Sequence, residues 1–372
     1  MTGQITAYIG LGSNLGDRQR SIDEALEMLG RDACIAVRRV SEIAETIPLH
    51  SKRQPRYLNG VAELETTVGA EALLDRLQAV EAALGRERQG KWASRTIDLD
   101  LLLYGRQIMD SPRLTVPHPE MHLRSFVLEG LRQLEPELVH PRLEEPMAVL
   151  ADRLNGESFA PNPEAPQLVS VAGNIGVGKT TLTNKLGAVL GAPVLLEPYD
   201  TNPYMPEVYA GKNELALDSQ LYFLVNRAEQ LERSALSPSQ IVLTDYVFDK
   251  ELIYARRLLN GHQLDLYERI YWPFAERAVS PVAVIYMHDS PEHCLERIHR
   301  RNRPYEQKIT VDFLRALDQD YEKAFAQWKR CPVLRVPATS LGSAGDDAAA
   351  VKHIATQIKS YAAMPARTPV SD

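Results

Sequence analysis

A glycine-rich octapeptide in the middle of the chain reads Gly173-Asn174-Ile175-Gly176-Val177-Gly178-Lys179-Thr180. It follows a short apolar run, residues 168–172, and precedes residues 181–190, in which apolar side chains have helical spacing. Strand, glycine loop and helix are the context in which G-x-x-x-x-G-K-T forms a phosphate-binding loop. Backbone N–H groups of such a loop and the helix N-terminus surround an anion. The stretch therefore predicts an α/β P-loop domain with a parallel sheet.

Each residue type in this loop has its own task in phosphate binding. Lys179 would reach the outer phosphates of ATP, and the Thr180 hydroxyl would ligate Mg²⁺. ATP and Mg²⁺ are thus the cofactors that the sequence predicts. The predicted ATP contacts of the loop are Gly173, Asn174, Gly176, Gly178, Lys179, Thr180 and Thr181.

The position of the loop divides the chain into two domains. A P-loop of this type lies at the first strand of its domain, yet enough residues for another whole domain precede it. Residues 161–166 carry three prolines within a segment that has no apolar periodicity, as in a semi-rigid linker. We expect one domain over residues 1–160, a proline-rich linker over 161–166, and the P-loop domain over 167–372.

Composition and charge narrow the classes of partner. The net charge of −7 argues against nucleic acid or an anionic membrane as the main partner, and small-molecule substrates are expected instead. Cys34, Cys294 and Cys331 are scattered, without the spacing of a disulfide framework or a zinc site. The sequence has no secretory leader pattern and no stretch of 18 apolar residues, so the expected compartment is the cytoplasm.

The first domain has a different pattern of strands and helices. Apolar alternation predicts strands, and helical spacing predicts helices, in the order β-α-β-β-α-β. This is the order of an α+β ferredoxin-like fold. The predicted segments are residues 6–11, 18–29, 35–46, 57–66, 71–84 and 96–104.

Two acids on the last of these strands mark a candidate site. Side chains at i and i+2 of a strand share a face, so Asp98 and Asp100 project together. Neighbouring carboxylates repel unless a cation lies between them, and Mg²⁺ held by two carboxylates and phosphates would fit. The alternative is an exposed strand with two solvated acids. Arginines and an aromatic ring close to the pair, Arg86, Arg88, Trp92 and Arg95, favour the metal site.

Short motifs occur in a fixed order through residues 5–155. They are Gly12-Ser13-Asn14-Leu15-Gly16, Tyr57-Leu58-Asn59, Gly85-Arg86, Trp92, Arg95-Thr96-Ile97-Asp98-Leu99-Asp100 and Arg113-Leu114-Thr115-Val116-Pro117-His118. Together they resemble the 6-hydroxymethyl-7,8-dihydropterin pyrophosphokinase family of folate biosynthesis. The resemblance implies transfer of diphosphate from ATP to the hydroxymethyl group of a reduced pterin.

The resemblance also implies a role for individual residues. Asp98 and Asp100 would hold two Mg²⁺ ions that bridge the ATP phosphates, and Arg86 and Arg95 would stabilise charge during transfer. The ATP site would include Gln78, Arg88, Trp92, Arg113, Thr115 and His118. The pterin pocket would comprise Thr46, Leu49, Tyr57, Asn59 and Phe126, where the Asn59 amide can both donate and accept hydrogen bonds.

Beyond the P-loop, charged residues recur where strands end. Glu197 follows a predicted strand at 194–196 and faces the ligand crevice if the sheet is parallel. It is either a general base or a cap or salt-bridge partner. Asp245 ends the next strand as a candidate Mg²⁺ ligand. Gln220 and Arg227 share one face of a predicted helix at 215–231. A later cluster, either a solvated face or a lid over the phosphates, contains Arg297, Arg301, Arg303 and Glu306.

Taken together, the P-loop, Glu197-Pro198, the Gln220/Arg227 pair and the arginine cluster resemble the deoxynucleoside kinase family over residues 167–335. The resemblance implies that Glu197 is the base on the sugar 5′-hydroxyl and that Glu306 binds the 3′-hydroxyl. It places Gln220 on the nucleobase with Arg227 beside it, and it assigns Arg297, Arg301 and Arg303 to the phosphates of ATP. It also suggests a homodimer through helices of this domain.

One position departs from the family pattern, and two other functions stay open. The family commonly has an acid followed by Arg and Ser after the third strand, whereas this chain has Asp245-Tyr246-Val247. The absent arginine would help to hold the 5′ end of the substrate. The alternatives for this half are a thymidylate-like nucleoside-monophosphate kinase, which needs a further cation for the acceptor phosphate, and a non-catalytic nucleotide sensor.

Overall fold

The computed structural model describes residues 3–49, 54–86, 94–341 and 347–363. By the clustering of its contacts the chain forms two compact units, Met1–Ala160 and Pro161–Asp372. No helix in the described ranges is both long and apolar enough to span a membrane.

Unit 1 alternates strands and helices and then adds a helical pair. Its strands are β1 (Ile5–Ser13), β2 (Ile35–Val40), β3 (Ala44–Thr46), β4 (Tyr57–Thr66), β5 (Asp98–Tyr104), β6 (Met109–Asp110) and β7 (Thr115–Val116). Its helices are α1 (Arg18–Gly30), α2 (Ala70–Ala83), α3 (Ser125–Leu134) and α4 (Met147–Leu154).

The main sheet of unit 1 is antiparallel, in the order β2-β4-β1-β5, with β3 also paired to β4. One face of the sheet packs against α1 and α2, around Ile9, Leu64 and Leu73. The other face packs against α3 and α4, around Tyr8, Val61 and Leu128. Both faces are therefore covered, and β1 at the centre reads as a nearly continuous apolar run.

The sequence predicts a single strand over residues 35–46, but the structure has two, β2 and β3. The backbone N–H of Ser41 donates to the carbonyl of Val61, and the Ser41 hydroxyl accepts from the N–H of Val61 at 2.9 Å. Three residues, 41–43, thus oppose Val61 and Gly60, as in a β-bulge. The Ile43 side chain packs over Gly60. A Cβ added at Gly60 would lie 2.4 Å from the Cδ1 atom of Ile43.

Unit 2 is an α/β unit. Its strands are β8 (Gln167–Gly173), β9 (Val194–Leu195), β10 (Ile241–Thr244), β11 (Ala283–His288) and β12 (Val333–Pro337). Its helices are α5 (Lys179–Leu190), α6 (Met205–Tyr209), α7 (Ala216–Gln230), α8 (Lys250–Leu258), α9 (Gly261–Arg277), α10 (Pro291–Arg301), α11 (Val311–Ala326) and α12 (Ala348–Tyr361).

The five strands of unit 2 form one parallel sheet in the order β12-β11-β8-β10-β9. β8 lies at the centre and is buried along its whole length, which explains its uninterrupted apolar composition. Its carboxyl end opens into the glycine loop, and β9 and β10 end beside it. The ligand crevice of a parallel sheet lies at this edge, so the strand ends bring Glu197 and Asp245 to the loop.

Candidate active sites

Strand register builds the floor of a site in unit 1. Gly12 of β1 is paired with Asn59 of β4 on one side and with Asp98 of β5 on the other. A Cβ at Gly12 would lie 2.9 Å from Asn59 Oδ1 and 3.5 Å from Asp98 Cβ. Glycine at this position therefore leaves room between an amide and a carboxylate that are far apart in sequence.

A cavity of about 880 Å³ opens over this floor. Its size is within the range of small-molecule sites, roughly 300–1,000 Å³. Many of the residues predicted for the two substrates of this unit line it: Thr46, Leu49, Tyr57, Asn59, Gln78, Arg86, Arg95, Asp98, Asp100, His118 and Phe126.

The two acids of the cavity differ in their ion pairs. Asp98 Oδ1 lies 2.6 Å from Arg86 Nη1 and 2.8 Å from Arg95 Nη1. Asp100 has no hydrogen-bond or ion-pair partner among the residues that the structure describes. Desolvation and repulsion from Asp98 raise the pKa of the Asp100 carboxyl, against the opposing charges of His118, Arg86 and Arg95. The neighbouring cations do not outweigh these effects, and a bound metal ion would favour the ionised form of this carboxyl.

The donor set fits Mg²⁺ that is shared with phosphates. Within the described ranges no group of three or more His, Cys, Asp or Glu side chains could hold a metal ion by itself. Asp98 and Asp100 offer only hard oxygen ligands, and Mg²⁺ is usually bound by one or two carboxylates together with water and substrate phosphates. The pair suits an ion that arrives with a nucleotide.

The predicted pterin residues form one end of the cavity. The Asn59 amide donates to the Thr46 hydroxyl at 2.6 Å, which holds the amide in place while it lines the cavity. Tyr57, Leu49 and Phe126 contribute apolar surface around it. A planar heterocycle would find stacking surface and an oriented amide there.

Some predicted ATP contacts lie elsewhere. Arg113 forms an exposed ion pair with Asp75, and Thr115 lies on β7, and neither lines the described cavity. Arg88 and Trp92 lie outside the described residues.

Three charged residues that line this cavity escaped the sequence reasoning: Glu81, Glu120 and Arg124. Glu81 on α2 is buried, pairs with Arg86 and accepts the backbone N–H of Leu99 at 2.7 Å. Its burial raises the pKa of its carboxyl. Arg124 also lines the cavity and pairs with Glu120. The signal for Glu81 was an acid on the apolar face of a helix, between Leu77 and the Gly85-Arg86 motif.

In unit 2, glycine geometry shapes the phosphate-binding loop. Gly173 and Gly176 have φ values of +140° and +79°, a region that side chains disfavour. A Cβ at Gly173 would lie 2.3 Å from the carbonyl oxygen of Met287, and one at Gly176 would lie 2.5 Å from that of Cys294. The loop is therefore packed closely against β11 and α10 and accepts only glycine at both positions.

The loop side chains are satisfied internally. Lys179 Nζ donates to the carbonyls of Gly173 and Asn174 at 3.0 and 2.9 Å. Burial lowers the pKa of this ammonium group. The Thr180 hydroxyl donates to Asp245 Oδ2 at 2.5 Å, and Asp245 Oδ1 accepts the backbone N–H of Glu197 at 2.8 Å. Asp245 thus links the P-loop helix to the residue predicted as the base.

Glu197 lies between two cations. Arg227 pairs with Glu197 Oε1, and Lys250 Nζ lies 2.6 Å from Oε2. Burial alone would raise the pKa of this carboxyl, but Arg227 and Lys250 outweigh it and hold the pKa well below its usual range. Glu197 is therefore an ionised carboxylate at neutral pH. Its two ion pairs agree with the salt-bridge alternative, and its role as a general base stays a prediction.

Gln220 is buried on the wall of a cavity in unit 2 that Lys179 and Glu197 also line. Its side-chain amide has no hydrogen-bond partner in the described part of the chain. An amide both donates and accepts hydrogen bonds, so it could pair with the edge of a nucleobase in this cavity. Arg227 lies on the same helix face but is bound to acids instead: besides Glu197 it pairs with Glu251.

The arginine cluster forms ion pairs over the cavity rather than a solvated face. Arg301 makes a two-pronged pair with Glu306, with both distances 2.6 Å. Arg303 donates to the Tyr199 hydroxyl and stacks over its ring at 4.1 Å. Arg301, Arg303 and Glu306 line the cavity of unit 2, whose volume in this conformation is only about 120 Å³. This volume is below the roughly 300–1,000 Å³ of typical small-molecule sites.

Other predicted contacts hold the loop in place. The Asn174 amide donates to the carbonyl of Leu314 at 2.8 Å, which fixes the loop to α11. Arg297 pairs with Asp289 and donates to the carbonyl of Gly176 at 3.2 Å. Neither side chain lines the cavity, nor do Gly173, Gly178 and Thr181. The residues lining the cavity that sequence reasoning missed include Tyr209, Lys250 and Tyr254.

Two cavities, one over a P-loop and one over an acid pair, define a nucleotide-dependent transferase with two sites. Comparison with known protein families also indicates two transferase sites in this chain. The model of the 7,8-dihydro-6-hydroxymethylpterin-pyrophosphokinase family matches residues 8–136, and that of the deoxynucleoside kinase family matches residues 169–361. The chain therefore belongs to both families, one in each unit.

Individual relatives show the same division. A 2-amino-4-hydroxy-6-hydroxymethyldihydropteridine pyrophosphokinase of Pseudomonas aeruginosa is 45% identical over 36% of this chain and 83% of its own. A deoxyguanosine kinase of Bacillus subtilis is 36% identical over 43% of this chain and 78% of its own. The solved structure of a deoxyadenosine kinase from M. mycoides is similar at 23% identity, with a TM-score of 0.45, over 52% of this chain and 98% of the other.

Proposed function

We propose that this chain is a bifunctional ATP-dependent transferase. Unit 1 transfers diphosphate from ATP to 6-hydroxymethyl-7,8-dihydropterin, a step of folate biosynthesis, and unit 2 phosphorylates a deoxynucleoside at its 5′-hydroxyl. The main support is that each unit has its own cavity, in which an acid group lies beside cations suited to phosphates. Membership of both families supports the same assignment.

We infer that the domains follow these two activities. The pterin domain covers residues 1–160, residues 161–166 link the two, and the kinase domain covers 167–372. The strand order β2-β4-β1-β5, with α1 and α2 on one face, supports a ferredoxin-like fold for the first domain. The helices α3 and α4 on the opposite face are an addition to that fold.

In the pterin site, arginines and metal ligands carry the transfer. The hydroxymethyl oxygen attacks the β-phosphorus of ATP and releases its proton to solvent, a new P–O bond forms, and AMP leaves with the electrons of the bond that breaks. Arg86 and Arg95 neutralise charge on the phosphates, and Asn59 and Phe126 orient the pterin. Asp98 and Asp100 would hold Mg²⁺, which supplies further neutralisation of phosphate charge.

In the kinase site, Glu197 acts as the general base. It accepts the proton of the 5′-hydroxyl while the oxygen attacks the γ-phosphorus of ATP and ADP leaves. Gln220 binds the nucleobase and Glu306 binds the sugar 3′-hydroxyl. Lys179, Arg301 and Arg303 bind the phosphates, and Thr180 and Asp245 would hold Mg²⁺.

One assay tests the two activities together. Purified full-length protein is supplied with ATP and either the reduced pterin or one of a panel of deoxynucleosides and nucleoside monophosphates, beginning with deoxyguanosine. We expect AMP release with the pterin and ADP release with at least one deoxynucleoside. ADP release only with monophosphates would identify a nucleoside-monophosphate kinase. If ADP is released with none of the acceptors, unit 2 would be a non-catalytic nucleotide sensor.

We further propose a homodimer through helices of the kinase domain. Val225 on α7, and Leu266 and Trp272 on α9, are large apolar side chains that stay exposed. Leu266→Glu combined with Trp272→Glu is expected to halve the particle mass measured by light scattering. Ile108→Glu, at an equally exposed apolar residue of unit 1, is the control and leaves the mass unchanged. A wild-type protein of single-chain mass would disprove the dimer.

A further inference from the structure

Lys250 is a buried cation in the kinase cavity to which the sequence analysis assigns no role. It is the first residue of α8 and only 5% exposed. Its ammonium group lines the cavity and lies 2.6 Å from Glu197 Oε2. Burying an ammonium ion is costly unless it is paired, and its partner here is the residue proposed as the base.

Lys250 differs from Arg227, the other cation on Glu197. Arg227 also pairs with Glu251, a fully buried acid that in turn accepts the Tyr267 hydroxyl. Its guanidinium further packs against the Phe223 ring at 4.7 Å. The charge of Arg227 is therefore shared with a second acid, and its position is held from several sides.

The Lys250 ammonium group keeps unused donors. An ammonium has three N–H donors, and among the described residues Glu197 is the one acceptor bonded to Lys250. The Tyr254 ring lies 5.1 Å away and gives the cation an aromatic face. Two further hydrogen bonds are thus available to a ligand that enters the cavity.

Among the described residues that follow β10, Lys250 is the cation that pairs with Glu197. Tyr246, which directly follows Asp245, is fully buried in the core, and its hydroxyl donates to Gln230 at 2.6 Å. Lys250 is supplied four residues further on, by the first turn of α8. Position 246 thus carries a packed aromatic side chain, and the cation reaches the cavity from position 250.

We propose that Lys250 is a catalytic residue of the kinase site, which binds the 5′-oxygen of the deoxynucleoside and then the transferred phosphoryl group. The role rests on the nucleoside kinase activity proposed above. An ammonium group beside the base is placed to contact the same hydroxyl oxygen that the base deprotonates.

Proton transfer to Glu197 would release the Lys250 ammonium group from its ion pair with Glu197. Glu197 takes the hydroxyl proton, the 5′-oxygen forms a bond to the γ-phosphorus, and the bond to the ADP oxygen breaks with its electrons. Once protonated, Glu197 no longer neutralises Lys250. The ammonium charge is then available to the new phosphate ester, where negative charge has increased.

The electrostatics of the cavity are consistent with this exchange. Burial, together with the nearby Arg227 and Lys179, lowers the pKa of Lys250 to about 8, against the opposing effect of Glu197. Lys250 thus depends on a negative partner to stay charged. A phosphate would replace Glu197 in that capacity.

The test compares Lys250→Met, Lys250→Arg and a control, Lys352→Met, at an exposed lysine of α12. Lys250→Met is expected to lower kcat for nucleoside phosphorylation about 10²-fold, a typical effect of losing one charge-stabilising donor. Lys250→Arg recovers at least a tenth of wild-type activity, and Lys352→Met has no effect. Pterin diphosphorylation by the same chains stays within about 2-fold and controls for concentration.

A binding measurement separates direct contact from support of the fold. We compare, by calorimetry, the Kd of the best deoxynucleoside with that of its 5′-deoxy analogue. Loss of the 5′-oxygen weakens binding to the wild type more than to Lys250→Met, by at least about 3-fold, because the variant lacks the donor. Equal weakening in both proteins would mean that Lys250 does not contact this oxygen and would overturn the proposal.

The remaining outcomes are distinct. An active wild type with an equally active Lys250→Met variant overturns the role of Lys250 but leaves the kinase function intact. A wild type that phosphorylates no deoxynucleoside overturns the kinase function and this role with it.

Discussion

Replacement of Asp98 by alanine is expected to abolish diphosphate transfer to the reduced pterin, with kcat lowered about 10³-fold or more. The change removes one of the two carboxylates proposed to hold Mg²⁺, and metal ions contribute several kcal/mol to stabilising phosphoryl charge. It also removes the acid that orients Arg86 and Arg95. Both effects act on the transferring phosphates, so kcat should fall more than substrate binding.

The measurement is AMP release with the pterin and ADP release with the nucleoside, from the same preparation. Nucleoside phosphorylation should stay within a few-fold of wild type, since Asp98 belongs to the other unit. Asp110→Ala is the matched control, because Asp110 is an exposed acid of unit 1 paired with Arg142, outside the cavity. Loss of both activities in Asp98→Ala would count against two separate sites.

Replacement of Glu197 by glutamine is expected to lower nucleoside phosphorylation about 10³-fold while ATP binding is kept. Glutamine has nearly the same shape but cannot accept the hydroxyl proton, and a positioned general base contributes about 10² to 10⁴ in rate. Arg227 keeps Glu251 as its partner in the variant. The ATP contacts of the P-loop are not touched, so Kd for ATP should change little.

Steady-state ADP release gives the rate of nucleoside phosphorylation, and calorimetric titration gives the Kd for ATP. Glu229→Gln, at an exposed acid of α7, tests whether a neutral glutamine on this unit has any effect by itself. Turnover of Glu197→Gln at the wild-type rate would remove Glu197 as the base. The pterin activity of the variant should equal that of the wild type.

Much of the P-loop domain could be predicted because its determinants are local. Glycine is favoured where φ is positive, as at Gly173 and Gly176, and both glycines lie within one contiguous octapeptide of the sequence. The strand before it and the helix after it could be predicted from apolar spacing. The alternation at Asp98 and Asp100 likewise indicates a shared face of β5 without any knowledge of its neighbours.

The prediction of one strand over residues 35–46 was wrong for a reason that is not local. The break at Ser41 is made by hydrogen bonds with Val61, on a strand that follows only after a long loop. Apolar alternation alone does not reveal such a bulge. The helices α3 and α4 were also not predicted, and they cover the second face of the sheet in unit 1.

The sequence by itself determined two family memberships, the P-loop and the acid pair, because glycine conformation and strand alternation act between near neighbours in the chain. Tertiary structure alone decided the row Asn59–Gly12–Asp98, the burial of Tyr246 and the approach of Lys250 to Glu197. Those arrangements depend on strand register and side-chain packing between distant segments. A residue's own neighbours in sequence do not specify which distant side chain will share its cavity.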